Sequence, residues 1–198
     1  MLVVKRSEHR ILTTHVGSLA RPPELLELAS RDQGPPKDPV EYERRMRHAV
    51  ATIVTEQQRV GLDIVNDGEF GKESWANYIL ARVSGFEIRE HQRRPIEWLG
   101  RDLERFPEYL AKEMPISQTG VPTQACIGPI RYVDAASIRR ALDNLARAVD
   151  GVAVEEAFMT AVAPASTAYD GVNEFYPREE DYVFAIADAL HEEYRAIY

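Results

Sequence analysis

The sequence predicts an α/β fold of the (βα)8 TIM-barrel type, with about the first four βα units present in its 198 residues. Short, almost continuously apolar segments alternate with longer segments of helical periodicity, which is typical of parallel strands that helices cover on both faces. Four such apolar segments occur, at 11–16, 62–66, 123–127 and 157–162. Because a complete eight-stranded barrel takes roughly 250 residues, we expect residues 1–198 to form the N-terminal half of one.

Two helices are predicted after the first strand. "PPELLELASR" reads as a short helix, since Pro22 and Pro23 are tolerated in a first helical turn. Asp38 is a typical N-cap residue for a second helix, over about 40–60, whose apolar residues recur at helical spacing. Gly61 is a typical C-terminal stop for that helix and leads directly into the second strand.

The remaining chain is less regular before residue 121 than after it. "KESWANYILARVSGFEI" predicts a helix that runs into an extended segment, and a polar, proline-interrupted insertion is expected at about 85–120. A helix over 135–149 with Asp134 as its N-cap follows the third strand. The stretch 166–177 reads as a loop, and a final helix begins near Arg178.

Composition limits the classes of function. The chain is 44% hydrophobic and 28% charged, as in ordinary globular proteins, and its net charge of −8 argues against nucleic acid or an anionic membrane as partner. No apolar run is long enough for a signal peptide or a membrane span. The single cysteine, Cys126, excludes an intrachain disulfide, so we expect a cytoplasmic protein.

Each predicted strand ends in polar sequence or in glycine or proline, namely HVGS, NDGE, GP and AP. Sites in parallel α/β folds assemble at the carboxyl ends of strands, so we expect these four endings to face one pocket. The candidate binding residues in the first two endings are His15, Val16, Gly17, Ser18, Asp67 and Glu69.

These candidates also have purely structural interpretations. HVGS is also compatible with a simple strand-to-helix turn, and Glu69 with an acid that interacts with a helix dipole. Asp67 is either a polar contact on the pocket floor or a turn residue, and His15 is either a substrate contact or a hydrogen-bonded structural histidine. Three residues after the second ending either line the pocket mouth or lie on the solvated surface: Lys72, Glu73 and Trp75.

Four motifs, "TTHVGS", "GLDIVNDGEFGKESW", "CIGPI" and "VEEAFMTAVAP", resemble in this order the cobalamin-independent methionine synthase family. The similarity is to the short, single-barrel branch called methionine synthase II-like, and it extends over about 10–198. The resemblance implies a (βα)8 barrel of the methionine synthase and uroporphyrinogen decarboxylase kind. It also implies a methyltransferase of methionine biosynthesis, which moves a methyl group from 5-methyltetrahydropteroyl-glutamate to the sulfur of homocysteine held on zinc.

The resemblance assigns substrate contacts to two segments. The Val16-Gly17-Ser18 turn matches the isoleucine-glycine-serine turn that holds the amino-acid end of homocysteine in the family, and Glu69 matches a glutamate that contacts the same substrate. A backbone N–H and the Ser18 hydroxyl can donate to a carboxylate, while Glu69 can pair with an ammonium group. His15 departs from the family, which often has threonine there. "CIGPI" and "AVAP" correspond to strand ends on the folate side.

The metal centre of the family has no counterpart in this sequence. A catalytic zinc needs about three protein ligands and an open position. The family takes a His-x-Cys pair and a later cysteine from the second half of the barrel, so the zinc ligands are expected beyond Tyr198. Cys126 is expected to be buried and inert, because a lone cysteine in an apolar strand usually is. No catalytic residue is predicted within the chain, whose five histidines are scattered at positions 9, 15, 48, 91 and 191.

Two alternatives to homocysteine methylation stay open. The single-barrel branch also resembles epoxyalkane:coenzyme M transferases, which alkylate a zinc-bound thiol that carries a sulfonate. Alternatively, the chain is a non-catalytic, truncated half-barrel. The expected partners are a small-molecule thiol and a folate, without nucleic acid or membrane, and the open sheet edges of a half-barrel would favour a homodimer or a complementary half-barrel.

Overall fold

The structure is a computed structural model, and it describes residues 5–29, 36–72, 74, 77–96, 99–115 and 119–198. The chain forms two compact units. The first unit comprises Met1–Arg82, Tyr132–Val162 and Leu190–Tyr198, and the second comprises Val83–Arg131 and Ala163–Ala189.

The first unit contains helices and a short parallel strand pair. In chain order its elements are α1 (Pro23–Leu28), α2 (Pro39–Arg59), β1 (Ile64–Val65), a 3₁₀ helix (Asn77–Ala81), α5 (Ala135–Val149) and β4 (Glu156–Ala157). β1 and β4 pair in parallel, with Ile64 opposite Glu156 and Val65 opposite Ala157.

The core of the first unit lies between α2, α5 and β1. The apolar stripes of both helices are buried there, together with Val65, which has no exposed surface. Each fully buried aliphatic side chain of this kind stabilises the fold by about 1.5–3 kcal/mol. The predicted caps are confirmed, since Asp38 accepts a hydrogen bond from the amide of Glu41 and Asp134 accepts one from the amide of Ser137, both at 3.1 Å.

The predicted strand at 11–16 is wrong. These residues form no strand, and Ile11 and Val16 are 84% and 94% exposed. The segment is attached to the start of β1 at one point, where the amides of Asp63 and Ile64 both donate to the Thr13 carbonyl at 3.0 Å. The Asp63 carboxylate in turn accepts from the Thr13 amide at 2.7 Å. The Thr13 amide therefore has a side-chain carboxylate as its acceptor and not the backbone carbonyl of a neighbouring strand.

The second unit contains a mixed three-stranded sheet. Its elements are β2 (Phe86–Arg94), α3 (Asp102–Arg105), α4 (Pro107–Glu113), β3 (Val121–Cys126), α6 (Pro164–Asp170) and β5 (Gly171–Asn173). The strand order is β2-β3-β5, with β2 antiparallel to β3 and β3 parallel to β5. The last helix, α7 (Glu179–Ile197), has residues in both units.

Three predictions are corrected in the second unit. The expected purely parallel arrangement is wrong there, because β2 is antiparallel. The region predicted as irregular after residue 85 begins with the nine-residue β2, and the predicted loop at 166–177 contains the end of α6 and all of β5. The charged sequence FEIREHQRR obscured β2, since most of its residues are exposed on an edge strand.

Other predictions agree with the described residues. The helix predicted over 135–149 has these exact bounds in α5, and Cys126 is fully buried in β3. Burial raises the pKa of the Cys126 thiol, which is consistent with an inert side chain. Within the part of the chain that the structure describes, no helix is both long enough and apolar enough to span a membrane.

Candidate functional site

The candidate site is built on the turn that follows β1. Gln57, buried on α2, holds the beginning of this turn, because its side-chain amide donates to the Asn66 carbonyl at 2.8 Å and accepts from the Asn66 amide at 3.1 Å. The backbone amides of Gly68 and Glu69 are bound by side chains of the turn itself. Asn66 accepts from Gly68 at 2.8 Å, and Asp67 accepts from Glu69 at 2.9 Å. The polar sequence after the strand thus satisfies its own backbone donors.

Glu69 has an unusual backbone conformation. It is the non-glycine residue with a positive φ, of 58°, among those described, and it follows Gly68, whose φ is 68°. The left-handed region is disfavoured for residues with a Cβ atom, so the surrounding contacts must hold Glu69 there. The side chain of Glu69 is 7% exposed.

Ser18 and Glu69 meet at the centre of the site. The Ser18 hydroxyl donates to Glu69 Oε2 at 2.6 Å, and the Leu19 amide donates to the Gly68 carbonyl at 3.0 Å. Ser18 is exposed whereas Glu69 is buried, so the hydrogen bond lies at the boundary between solvent and protein. The HVGS and NDGE endings are therefore in contact through a side-chain hydrogen bond, and the Leu19 amide, directly after HVGS, adds a backbone hydrogen bond to NDGE.

The electrostatics of the site keep Glu69 ionised. Burial alone would raise the pKa of the Glu69 carboxyl, but hydrogen bonds from Ser18 and Thr160 and the positive charge of Lys72 outweigh burial and lower it. The carboxylate therefore carries its negative charge at neutral pH and can attract a cationic ligand group.

Lys72 connects this turn to the residues after β4. Its ammonium group donates to both the carbonyl and the hydroxyl of Thr160, and it lies 5.2 Å from the centre of the Tyr78 ring. The residue is only 5% exposed, so of the two interpretations the surface one is wrong for Lys72. Burial lowers the pKa of the Lys72 ammonium group, although Asp67 and Glu69 oppose that effect. Glu73 and Trp75 lie outside the described residues.

The other predicted binding residues lie around the Ser18–Glu69 hydrogen bond and do not take part in it. His15 lies 3.5 Å from the Asn66 side-chain nitrogen and 3.1 Å from the Gly17 carbonyl, both measured from its ring nitrogens. One carboxylate oxygen of Asp67 accepts a hydrogen bond from the Glu69 amide, within the turn. Gly17 has a φ of 89°, which its lack of a Cβ permits, and Val16 points into solvent.

Three further residues contact the turn after β1 without being predicted from the sequence as part of the site: Thr160, Gln57 and Arg21. Thr160 and Arg21 contact the turn from 88 and about 50 residues away along the chain, so no local pattern indicates them. The CIGP ending, which was expected to face the same pocket, belongs to the second unit.

A cavity of about 900 Å³ lies in the first unit beside the same turn. Helices α1, α2 and α5 supply most of its apolar lining, while Asp67, Lys72 and Arg82 are among its charged lining residues. Both Lys72 and Arg82 already have protein partners, Thr160 and Glu193 respectively.

The residues that the structure describes do not fit a zinc site. Among them, no three His, Cys, Asp or Glu side chains lie close enough together to hold a metal ion. Cys126 hydrogen-bonds to the Gly128 carbonyl at 3.5 Å, and His15 contacts Asn66 and Gly17.

Comparisons with known proteins point to one family. The family described as "Cobalamin-independent synthase, Catalytic domain" matches residues 11–110. The methionine synthases of Thermococcus kodakarensis and Pyrococcus furiosus are each 24% identical over 188 and 187 residues, which is 93% of this chain in both cases and 48% and 47% of theirs.

A solved structure shares the fold. A B12-independent methionine synthase from Shewanella sp. W3-18-1, in complex with selenomethionine, is 18% identical with a TM-score of 0.63 over 91% of this chain and 46% of its own. The chain thus spans about half the length of each of these relatives.

Proposed function

The chain belongs to the cobalamin-independent synthase catalytic-domain family, and from this premise we propose that its Ser18–Glu69 site binds the amino-acid end of homocysteine. The reaction served is transfer of a methyl group from 5-methyltetrahydropteroyl-glutamate to the homocysteine sulfur. The relatives named above are methionine synthases, which supports this substrate class.

The observation that carries the proposal is the 2.6 Å hydrogen bond between the Ser18 hydroxyl and the Glu69 carboxylate. This hydrogen bond places a hydroxyl that can donate to a carboxylate beside a carboxylate that can accept from an ammonium group. Glu69 is ionised and Ser18 is exposed, so an α-amino acid can reach both.

Binding requires an exchange of hydrogen bonds. Without ligand the Ser18 hydroxyl donates to Glu69. In the proposed complex the substrate ammonium group replaces Ser18 as the donor to Glu69, and the Ser18 hydroxyl turns to donate to the substrate carboxylate. Both carboxylates then keep a donor, so no buried charge is left unpaired. The hydrogen bond from Thr160 and the positive charge of Lys72 still lower the pKa of Glu69 and keep it ionised.

Zinc and the folate substrate belong to the proposed reaction but not to the steps assigned to these residues. When bound, zinc would supply a thiolate by lowering the pKa of the thiol. Since the described residues do not fit a zinc site, we assign to this chain the recognition of the amino-acid group alone.

The proposal includes the architecture. We propose that residues 1–198 are about the first four βα units of a (βα)8 barrel, which a second copy or a complementary half-barrel would complete. Sedimentation equilibrium of the 22.5 kDa chain separates the cases, because a second copy requires a mass twice that value.

Titration calorimetry with L-homocysteine tests the proposal. The wild type should bind, and Glu69→Gln should bind at least about 30-fold more weakly, because a charge pair with the ammonium group is lost. Glu56→Gln is the matched control, since Glu56 is a glutamate of α2 whose side chain is 46% exposed and forms an ion pair with Arg59. Unimpaired binding by Glu69→Gln would contradict the proposal.

A second ligand separates the two thiol substrates. Coenzyme M carries a sulfonate and no ammonium group, so Glu69 should repel it, and Glu69→Gln should improve its binding or leave it unchanged. If coenzyme M binds tightly and homocysteine does not bind, the result would instead favour alkyl transfer to a thiol that carries a sulfonate.

A further inference from the structure

We propose that Arg21 is the positioning residue of this site, and that it holds the Glu69 backbone in the left-handed conformation from which the carboxylate reaches Ser18. The inference deepens the proposed function and rests on it only for the ligand-binding part of the test. Arg21 itself contacts the backbone of the turn and none of the groups assigned to substrate.

The guanidinium group of Arg21 binds three carbonyls of one four-residue turn. Its Nε donates to the Phe70 carbonyl and its Nη2 to the Glu69 carbonyl, both at 3.1 Å, and Nη2 also donates to the Lys72 carbonyl. Only a planar group with several fixed donors can meet converging carbonyls in this way, and lysine has no equivalent geometry.

The turn needs such a clamp because its conformation is intrinsically unfavourable. Glu69 has a φ of 58° although it carries a Cβ atom, and Asp67 accepts a hydrogen bond from its amide. The hydrogen bond from the Glu69 amide to Asp67 and the one from Arg21 to the Glu69 carbonyl together restrain both peptide planes that flank its Cα. The direction of the Glu69 side chain follows from these planes.

The placement of Arg21 in the chain supports a role in the same site. Three consecutive contacts run from one short segment to the turn: Ser18 to the Glu69 carboxylate, Leu19 to the Gly68 carbonyl and Arg21 to the carbonyls beyond. The segment that supplies the proposed substrate-binding hydroxyl therefore also fixes the carboxylate opposite to it.

The test compares Arg21→Gln and Arg21→Lys with the wild type. The control is Arg44→Gln, since Arg44 is an exposed arginine of α2 that pairs with Glu41. The first readout is the NMR coupling constant between the amide and α protons of Glu69 together with the NOE between the same two protons, which is strong only when φ is positive. Neither measurement requires a ligand. We expect Arg21→Gln to move Glu69 out of the left-handed conformation, Arg21→Lys to do so in part, and Arg44→Gln to have no effect.

The second readout is the dissociation constant for homocysteine. It should rise about tenfold in Arg21→Gln, as for loss of one hydrogen bond to a charged group, and less in Arg21→Lys. If Arg21→Gln does not unfold cooperatively, Arg21→Lys decides the matter on the same two readouts. A folded variant that keeps both the wild-type coupling constant and the strong NOE would overturn the inference. If the wild type does not bind homocysteine, the proposed function fails while the coupling constant still decides the role of Arg21.

Discussion

Two buried glutamates of the first unit, Glu193 and Glu69, have similar partners and differ in their access to solvent. Glu193 on α7 has no exposed surface and accepts from the Tyr78 hydroxyl at 2.7 Å, the Tyr132 hydroxyl at 2.7 Å and the Arg82 guanidinium at 2.8 Å. Glu69 also accepts from hydroxyl groups and lies near a cation, but its partner Ser18 is exposed.

The difference shows why a buried charged cluster is not by itself a binding site. Each donor around Glu193 is a side chain of the protein, and Tyr78 is further held by the Val162 amide at 3.0 Å. No ligand can replace a donor there without breaking the core. At Glu69 an exposed hydroxyl can turn away and be replaced. We therefore expect Glu193 to stabilise the fold, and Glu69 to serve the proposed binding of substrate.

The largest expected effect tests the stability half of this comparison. Glu193→Gln should lower the free energy of unfolding by about 3–5 kcal/mol, because it leaves the buried Arg82 without a counter-charge. Urea unfolding measures this loss. The adjacent Glu192→Gln, at an exposed position, should change stability by less than about 0.5 kcal/mol. If Glu193→Gln loses no more unfolding free energy than Glu192→Gln, the stabilising role of Glu193 is contradicted.

A smaller effect is expected from Tyr132→Phe, which removes one hydrogen bond to the Glu193 carboxylate. The expected loss is about 1.5–3 kcal/mol. Burial and the contact with Glu193 raise the pKa of Tyr132 above its ordinary value of 10.0, so the tyrosine stabilises the fold fully below pH 10 and less as the pH rises above it. The variant should therefore lose less stability than the wild type between neutral pH and pH 11. An identical alkaline loss in both would contradict the assigned contact.

Ser18→Ala tests the binding half. Homocysteine should bind about tenfold more weakly, since its carboxylate loses a donor while its ammonium group keeps Glu69. The unfolding free energy should change much less than in Glu193→Gln, because Ser18 is exposed. If Ser18→Ala and the wild type bind homocysteine with equal affinity, Ser18 does not contact the substrate.

The smallest effect concerns acid stability. The pKa of Glu69 is lowered in the folded state, so its contribution to stability is present above the ordinary value of 4.5 and is lost as the pH falls through the lower folded value. The stability difference between the wild type and Glu69→Gln should therefore decrease below pH 4.5. Ser18→Ala should show a shallower decrease relative to Glu69→Gln, because one of the hydrogen bonds that lower this pKa is absent. A difference that does not change with pH would show that Glu69 is not stabilised as a carboxylate.

How far the sequence predicts this molecule depends on the range of the interactions involved. Helices α2 and α5 follow from periodicity and from Asp38 and Asp134, whose capping bonds reach only three residues along the chain. The strand predicted at 11–16 does not form. There the Thr13 amide is bound by Asp63, a side chain 50 residues away that local pattern does not indicate.

In the candidate site, too, the sequence indicates residues in local motifs and not those that depend on distant contacts. Ser18 and Glu69 are predicted because each lies in a short motif. Arg21, Thr160 and the Glu193 cluster depend on contacts between residues about 50 to 115 positions apart, which local pattern does not encode.

The central claim, that homocysteine binds between Ser18 and Glu69, is tested most directly by NMR titration of the ¹⁵N-labelled chain with L-homocysteine. The account predicts saturable shifts of the amide signals of residues 17–19 and 68–69, with the signals of Tyr132 and Glu193 unchanged. Shifts confined to other residues, or no saturable shift at all, would contradict it.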